Sequence, residues 1–296
     1  MPTLTQRLAN NEILLIDGAT GTELERAGVP TVKEAWTAAT SLTDPDAVRQ
    51  VHANYINAGA QMIIANTYSC SRHLLARAKL DDKFEHLNTI GVEMACEVRD
   101  RLNKDVVVAG SISTTEMMQW EQPPEAVARQ NYAEQAQIQA TAGADMICLE
   151  MLREIEHTQY ALDAVYKTGL PVWVGYSCIL KDGVPYLFNG KETLEDALKA
   201  IQGQPIELVT IMHTETVDVD ACLDVVQKYW DGPIGVYAQS GEFIPPKWQF
   251  IDTITPEEYG AACLRWVERG VQVIGGCCGI GREHIEYLSQ HLPKSP

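Results

Sequence analysis

The sequence predicts a (β/α)8 barrel, and three observations carry that prediction. First, eight short, continuously apolar, mostly β-branched runs recur along the 296 residues. Runs of this kind suit parallel strands buried on both faces. Second, longer stretches with helical apolar spacing separate many of them, the alternation that builds an α/β sheet. Third, one junction repeats: Ala58-Gly59-Ala60-Gln61-Met62-Ile63 resembles Ala142-Gly143-Ala144-Asp145-Met146-Ile147 and Arg269-Gly270-Val271-Gln272-Val273-Ile274. In each, a glycine ends a helix and a strand follows at once, as in a repeated βα unit. The rival arrangement is an open doubly wound sheet, but no Gly-x-Gly-x-x-Gly follows the first run. No linker-like boundary appears, so residues 1–296 are expected to form a single barrel domain.

In chain order the runs are Ile13–Asp17, Met62–Asn66, Val106–Ser111, Met146–Glu150, Val172–Ser177, Leu208–His213, Ile234–Tyr237 and Val271–Gly275. The helix expected over Asp44–Ala58 starts at Thr43-Asp44-Pro45, a capping residue before an early proline. It carries Val48, Val51, His52, Tyr55 and Ile56 at helical spacing. Glu125–Ala142, Glu154–Thr168, Leu194–Gln202 and Val219–Trp230 read as further helices. Thr255-Pro256-Glu257-Glu258 opens another with acids in its first turn, and Glu283–His291 is the last.

Composition narrows the function classes. With 23 basic and 40 acidic residues the net charge is -17. That argues against nucleic acid, whose phosphates need clustered Lys and Arg, and against a basic membrane-surface helix. No apolar stretch approaches the roughly 20 residues of a membrane span, and Ile13 to Ile16 is too short for a secretory core. A cytoplasmic protein is expected. Eight cysteines are too few for a disulfide scaffold, so adjacent ones suggest metal or redox chemistry.

Barrel chemistry sits at the C-terminal ends of the strands. Those ends are Asp17, Asn66, Ser111, Glu150, Ser177, His213 and Tyr237, followed by Cys277 and Cys278. In Gly275-Gly276-Cys277-Cys278-Gly279, adjacent thiols can share one ion only if the backbone turns sharply, which the glycines permit. Zinc takes thiolate and imidazole ligands and, in catalytic sites, keeps one position open. Cys277, Cys278 and His213 would supply three ligands; the alternative is two buried free thiols closing a strand. Gly18 and Gly21 let backbone approach a ligand beside Asp17, although a tight turn capped by Asp17 reads equally well. Glu150 is awkward as core, which favours a ligand role. Cys96, Cys222 and Cys263 fall in helical patterns and Cys148 inside a strand, whereas Cys70 and Cys178 lie just past strand ends. The remaining histidines are expected to pack or face solvent. Tyr186 and Trp248 could line a pocket, but loop aromatics usually pack.

Together these residues resemble the homocysteine S-methyltransferase family along nearly the whole chain. The resemblance rests on Ile16-Asp17-Gly18-Ala19-Thr20-Gly21-Thr22-Glu23-Leu24, Trp36, His52, Tyr55, Ala58-Gly59-Ala60, Ala65-Asn66-Thr67-Tyr68, the Glu150 strand end, Tyr237-Ala238-Gln239-Ser240-Gly241-Glu242 and Ile274-Gly275-Gly276-Cys277-Cys278-Gly279. It implies a zinc-containing barrel, an enzyme that moves a methyl group from a small onium donor to the thiol of homocysteine or a related thiol or selenol, as in methionine biosynthesis. S-methylmethionine, S-adenosylmethionine and betaine are all donors consistent with it. Asp17 and Glu150 match the catalytic carboxylates that hold the acceptor's amino group, and backbone at Gly18 and Ala19 matches its carboxylate cradle. Trp36 and Tyr68 could face an onium methyl group through cation–π contacts, and Asn66 completes the candidate binding residues.

One departure stands out. The family's third zinc cysteine follows an Asn on the sixth strand, whereas this chain has Met212-His213 there. With two thiolates and a neutral His213, a zinc centre would carry no net charge, against -1 with three thiolates. Such a centre should bind thiolates more tightly and leave the sulfur less nucleophilic. His213 is therefore expected to ligate zinc, with Cys70 or Cys178 as the alternative third ligand. A different zinc-barrel enzyme using bound water, or a non-catalytic thiol or metal binder, remains open on the same residues.

Overall fold

All eight apolar runs form strands of one parallel sheet in the computed structural model, which describes residues 4–32, 34–102, 105–114, 122–244, 247–250 and 253–293. We label these barrel strands β1 (Leu14–Leu15), β2 (Met62–Ile64), β3 (Val107–Ser113), β4 (Met146–Leu152), β5 (Val172–Tyr176), β6 (Leu208–Glu215), β7 (Ile234–Gln239) and β8 (Val273–Ile274). Neighbours pair in the order β1-β8-β7-β6-β5-β4-β3-β2. A parallel bridge between Ile16 and Met62 closes the ring, helped by the Gln61 amide donating to Leu15 O at 2.7 Å. The sheet is thus the expected (β/α)8 barrel.

Burial on both faces explains the unbroken apolar strands. On β4, Met146 and Cys148 point into the barrel interior with Leu14, Met62, Trp173, Leu208 and Val273. Ile147 and Leu149 point outward, against the helices. Leu4 and Leu8 from the short helix Leu4–Ala9 join the interior cluster.

The expected helices are present at Pro45–Ala58, Glu125–Thr141, Ile155–Tyr166, Leu194–Ala200, Val219–Tyr229, Pro256–Glu268 and Arg282–His291. Thr255 and Glu258 form a reciprocal capping box. The three repeated junction glycines, Gly59, Gly143 and Gly270, have φ of 112°, 103° and 91°. That is the left-handed helix stop which glycine adopts at little cost. Elements absent from the expected set include the longest helix, Phe84–Arg101, and two antiparallel hairpins, Cys178–Lys181 with Val184–Leu187 and Glu242–Ile244 with Lys247–Gln249.

Two irregularities shape the upper rim of the barrel. The β4–β5 register shifts between Leu149 and Leu152, and the β6–β7 register between Met212 and Glu215. Met151 and His213 sit in these shifts with left-handed φ of 51° and 44°. Each such residue costs on the order of 1–3 kcal/mol, so the surrounding packing must impose it. The Met151 amide donates to Met212 Sδ at 3.3 Å, which ties the two bulges together past the intervening β5.

Candidate metal centre and active site

The C-terminal mouth of the barrel opens into a cavity of about 630 Å³. Gly18, Ala19, Trp36, Asn66, Tyr68, Glu150, His213, Cys277 and Cys278 all line it, so nine of the ten residues assigned a metal- or substrate-binding role from sequence converge there. Asp17, the tenth, lies just behind the lining, 1% exposed.

At one side of the cavity the ligand atoms of His213, Cys277 and Cys278 lie within 4.8 Å of one another. His213 Nδ1 is 3.4 Å from Cys277 Sγ. A tetrahedral zinc site with the usual bond lengths spaces nitrogen and sulfur ligands about 3.6 Å apart, so the cluster fits that ion with little movement. A ligating Nδ1 leaves the ring proton on Nε2. The left-handed backbone at His213 aims the ring at Cys277, and Ser177 Oγ holds that turn by donating to His213 O at 2.9 Å. Phe188 and Trp248 flank the imidazole, with ring centroids 6.0 and 5.9 Å away. Hydrogen bonding from the Cys278 thiol, with His213 beside it, pulls Cys277 well below the ordinary thiol range. Cys70 and Cys178 do not join this cluster. Cys70 packs with Phe84 and Leu87, and Cys178 hydrogen-bonds with Cys222 in the outer core. The sulfur alternatives to His213 are thereby displaced from the site.

Two carboxyls lie at the floor, Glu150 in the lining and Asp17 behind it. Burial pushes Glu150 up to about 7, against hydrogen bonds from Ser111 and Tyr237 that favour its charged form. Burial likewise raises Asp17 well above the usual carboxylate range, while the Ile64 amide donates to its Oδ2 at 2.8 Å. Asp17 also feels the negative charge of Glu150. Two desolvated carboxyls without a cation are poised to take one, and an ammonium group would relieve both burial and repulsion.

Geometry refines three other expectations. The Ala19 amide already donates to Ile280 O at 3.1 Å, so its N–H is not available to cradle a carboxylate. Asn66 lines the cavity, but its amide nitrogen bonds Thr37 O, Thr40 Oγ1 and Ser41 Oγ, and its oxygen accepts from Thr37 Oγ1. Its visible work is to fasten β2 to the 37–41 segment. Trp248 is a wall of the cavity as well as a packed residue, whereas Tyr186 lies outside the lining, under Lys181.

The upper walls are aromatic. Trp36 and Tyr68 meet edge to face at 6.3 Å, with Phe188 and Trp248 on other sides. Glu25 joins two of these walls: its Oε1 accepts from Trp36 Nε1 at 2.6 Å and its Oε2 from the Trp248 amide at 3.0 Å. Sequence reasoning missed Glu25, and also Arg153, Phe188 and Glu215 in the lining. The Asp182-Gly183 pair, a hairpin signal with φ of 51° and 78°, could have located the strand pair that leads into Phe188.

Comparison with known proteins agrees with this architecture. Homocysteine methyltransferase MmuM from Escherichia coli superposes with a TM-score of 0.82 in its oxidized form, at 23% identity over 97% of this chain and 99% of that one. Its metallated form gives 0.79, at 22% identity over 94% and 96%. These two establish a shared fold. Among curated proteins, homocysteine S-methyltransferase YbgG of Bacillus subtilis (strain 168) is 26% identical over 94% of this chain and 93% of its own length. Selenocysteine Se-methyltransferase of Brassica oleracea var. italica is 27% identical over 94% and 88%. The family description "Homocysteine S-methyltransferase" matches residues 14–292, all eight strands and the cavity they surround. The chain is a methyltransferase and belongs to the homocysteine S-methyltransferase family.

Proposed function

We propose that the protein methylates the thiol of homocysteine, or of a closely related thiol or selenol amino acid, from a small onium donor, at a zinc centre held by His213, Cys277 and Cys278. The observation that carries this reading is the meeting of those three ligand atoms, within 4.8 Å, in the same cavity as Glu150. Zinc at this site would supply the Lewis acidity that keeps the acceptor sulfur deprotonated at neutral pH.

The chain's own residues do the rest. Asp17 and Glu150 receive the acceptor's ammonium group, which fixes its orientation on the floor. Thr20 and Gly21, which open the helix Thr20–Arg26, line the cavity beside Gly18, and this loop is where its carboxylate would lie. Trp36, Tyr68, Phe188 and Trp248 surround the donor's positive centre and exclude water. The acceptor sulfur then forms a bond to the methyl carbon while the methyl–onium bond breaks. Its electron pair stays on the departing atom, which leaves neutral, and the thiol proton has already gone to solvent. Alignment of sulfur, carbon and leaving atom by these walls supplies much of the rate.

The test is zinc per chain by elemental mass spectrometry, in tag-free parent protein and His213→Ala, beside a screen of homocysteine and selenocysteine against sulfonium and ammonium donors. About one zinc in the parent, far less in the variant, and methyl transfer by the parent alone are expected. A His213→Ala protein that kept its zinc and its activity would remove His213 from the site.

A further inference from the structure

One cation in the cavity has no part in the chemistry above. Arg153 follows Glu150 by three residues, beyond the bulge at Met151, and lines the cavity. Its side chain is 11% exposed. Its Nε is buried and has no hydrogen-bond partner among the described residues. The ion pair with Glu154, 3.9 Å from Nε to Oε1, is too long to be a hydrogen bond. A buried Nε–H left unpaired is costly, and the planar fork that carries it is shaped to receive a carboxylate through two parallel bonds.

We propose that Arg153 is the residue that anchors the carboxylate of the methyl donor and so sets the enzyme's preference for donors that carry one. The inference rests on the methyl-transfer reading and deepens it. Position assigns the anchor to the donor and not to the acceptor. An acceptor with its sulfur at the Cys277–Cys278–His213 cluster and its ammonium at Glu150 occupies the floor. The strand runs toward the mouth of the barrel, so Arg153, three residues and at most about 10 Å beyond Glu150, lies on the mouth side of the floor, from which the methyl group must approach. Charge sets the donor's direction. Glu215 and Glu242 also line the cavity, from β6 and from the segment after β7. They repel a carboxylate and attract the onium end, which turns the carboxylate to Arg153.

The experiment compares parent, Arg153→Gln and Arg153→Lys with homocysteine as acceptor and three donors: S-methylmethionine, its methyl ester, and trimethylsulfonium. The parent should favour S-methylmethionine over the ester by about 10- to 100-fold in kcat/KM, the worth of one charged hydrogen-bonded pair. Arg153→Gln should bring that ratio close to one, chiefly through donor KM, with the homocysteine KM and zinc content unmoved. Arg153→Lys should recover part of the preference. Quenching of tryptophan fluorescence by S-methylmethionine without acceptor gives a binding readout independent of turnover, and Arg153→Lys carries the comparison if the Gln variant fails to fold. A ratio near one in the parent, or a homocysteine KM that rises in place of the donor KM, overturns the assignment of Arg153 alone. A folded, zinc-loaded parent that takes a methyl group from none of the three donors overturns the methyl-transfer reading itself.

Discussion

His52 should make this protein acid-labile by a measurable amount. It lies in the helix Pro45–Ala58, is fully buried, and neither ring nitrogen has a hydrogen-bond partner among the described residues. Burial lowers its pKa from 6.5 to about 4. The unfolded chain takes up the proton below about 6.5, the native chain only below about 4, so between these values the unfolded state holds more protons. Stability must therefore fall as pH falls through that window. At about 1.4 kcal/mol per pH unit, the whole window is worth about 3 kcal/mol, and the step from pH 7 to pH 5 about 2 kcal/mol. The same helix carries Tyr55, whose hydroxyl donates to Ala19 O at 3.1 Å and abuts Gly18. Protonation of His52 thus strikes the support of the first active-site loop. Urea denaturation of the parent and His52→Leu, at pH 7 and pH 5 and one ionic strength, isolates the effect from every other titrating group. The parent should lose about 2 kcal/mol more than the variant, and at pH 7 the variant should match or exceed the parent, since it buries no unsatisfied imidazole. Equal losses in both proteins would refute the argument.

Three further outcomes follow from the site. Glu150→Gln removes one proposed partner of the acceptor's ammonium, so the homocysteine KM should rise about 10- to 100-fold while zinc content, measured on the same samples, stays put. Glu25→Gln keeps one acceptor where Trp36 and Trp248 need two; the donor KM should rise about 5- to 10-fold with the acceptor KM constant and the tryptophan emission shifted. His213→Cys adds a ligand charge, so with zinc retained by elemental analysis both kcat and the acceptor KM should increase, and a fall in KM would show that ligand charge does not govern thiolate affinity here.

The barrel was legible because burial on both faces leaves a one-dimensional mark: every strand reads as an unbroken apolar run, and three helix-ending glycines repeat the same junction. The helix Phe84–Arg101 left a fainter mark although it is the longest. Its inner face includes Asn88, fully buried and bonded to Cys70 O, and Gly91, which lies against Thr67 and Asn66. A polar and a bare residue on the core side dilute the amphipathic pattern that announces a helix. Strand ends delivered the carboxylates, the imidazole and the thiols, since barrel geometry alone places them on one rim. Glu25 and Arg153 were not legible, because each acts through partners far away in sequence or through having none. Glu25 meets Trp248 across 223 positions, a separation to which no local periodicity is sensitive.

Met151 and His213, left-handed within barrel strands, explain why the site lies where the strand pattern breaks. A regular β4 would send alternate side chains inward and outward, and Glu150 and Arg153, an odd number of positions apart, would face opposite sides. The bulge at Met151 resets the alternation so that both reach the one cavity, Glu150 at the floor and Arg153 higher. At β6 the bulge at His213 does the same for Met212 and His213, adjacent residues that both line the cavity. Strain at these two positions, held by the Met151–Met212 contact and by Ser177 on His213, is what brings the proposed metal ligand, the floor carboxyl and Arg153 of a closed sheet into one cavity. Relaxing either bulge would leave every strand paired and the core full, yet would turn Arg153 or His213 away from the chemistry.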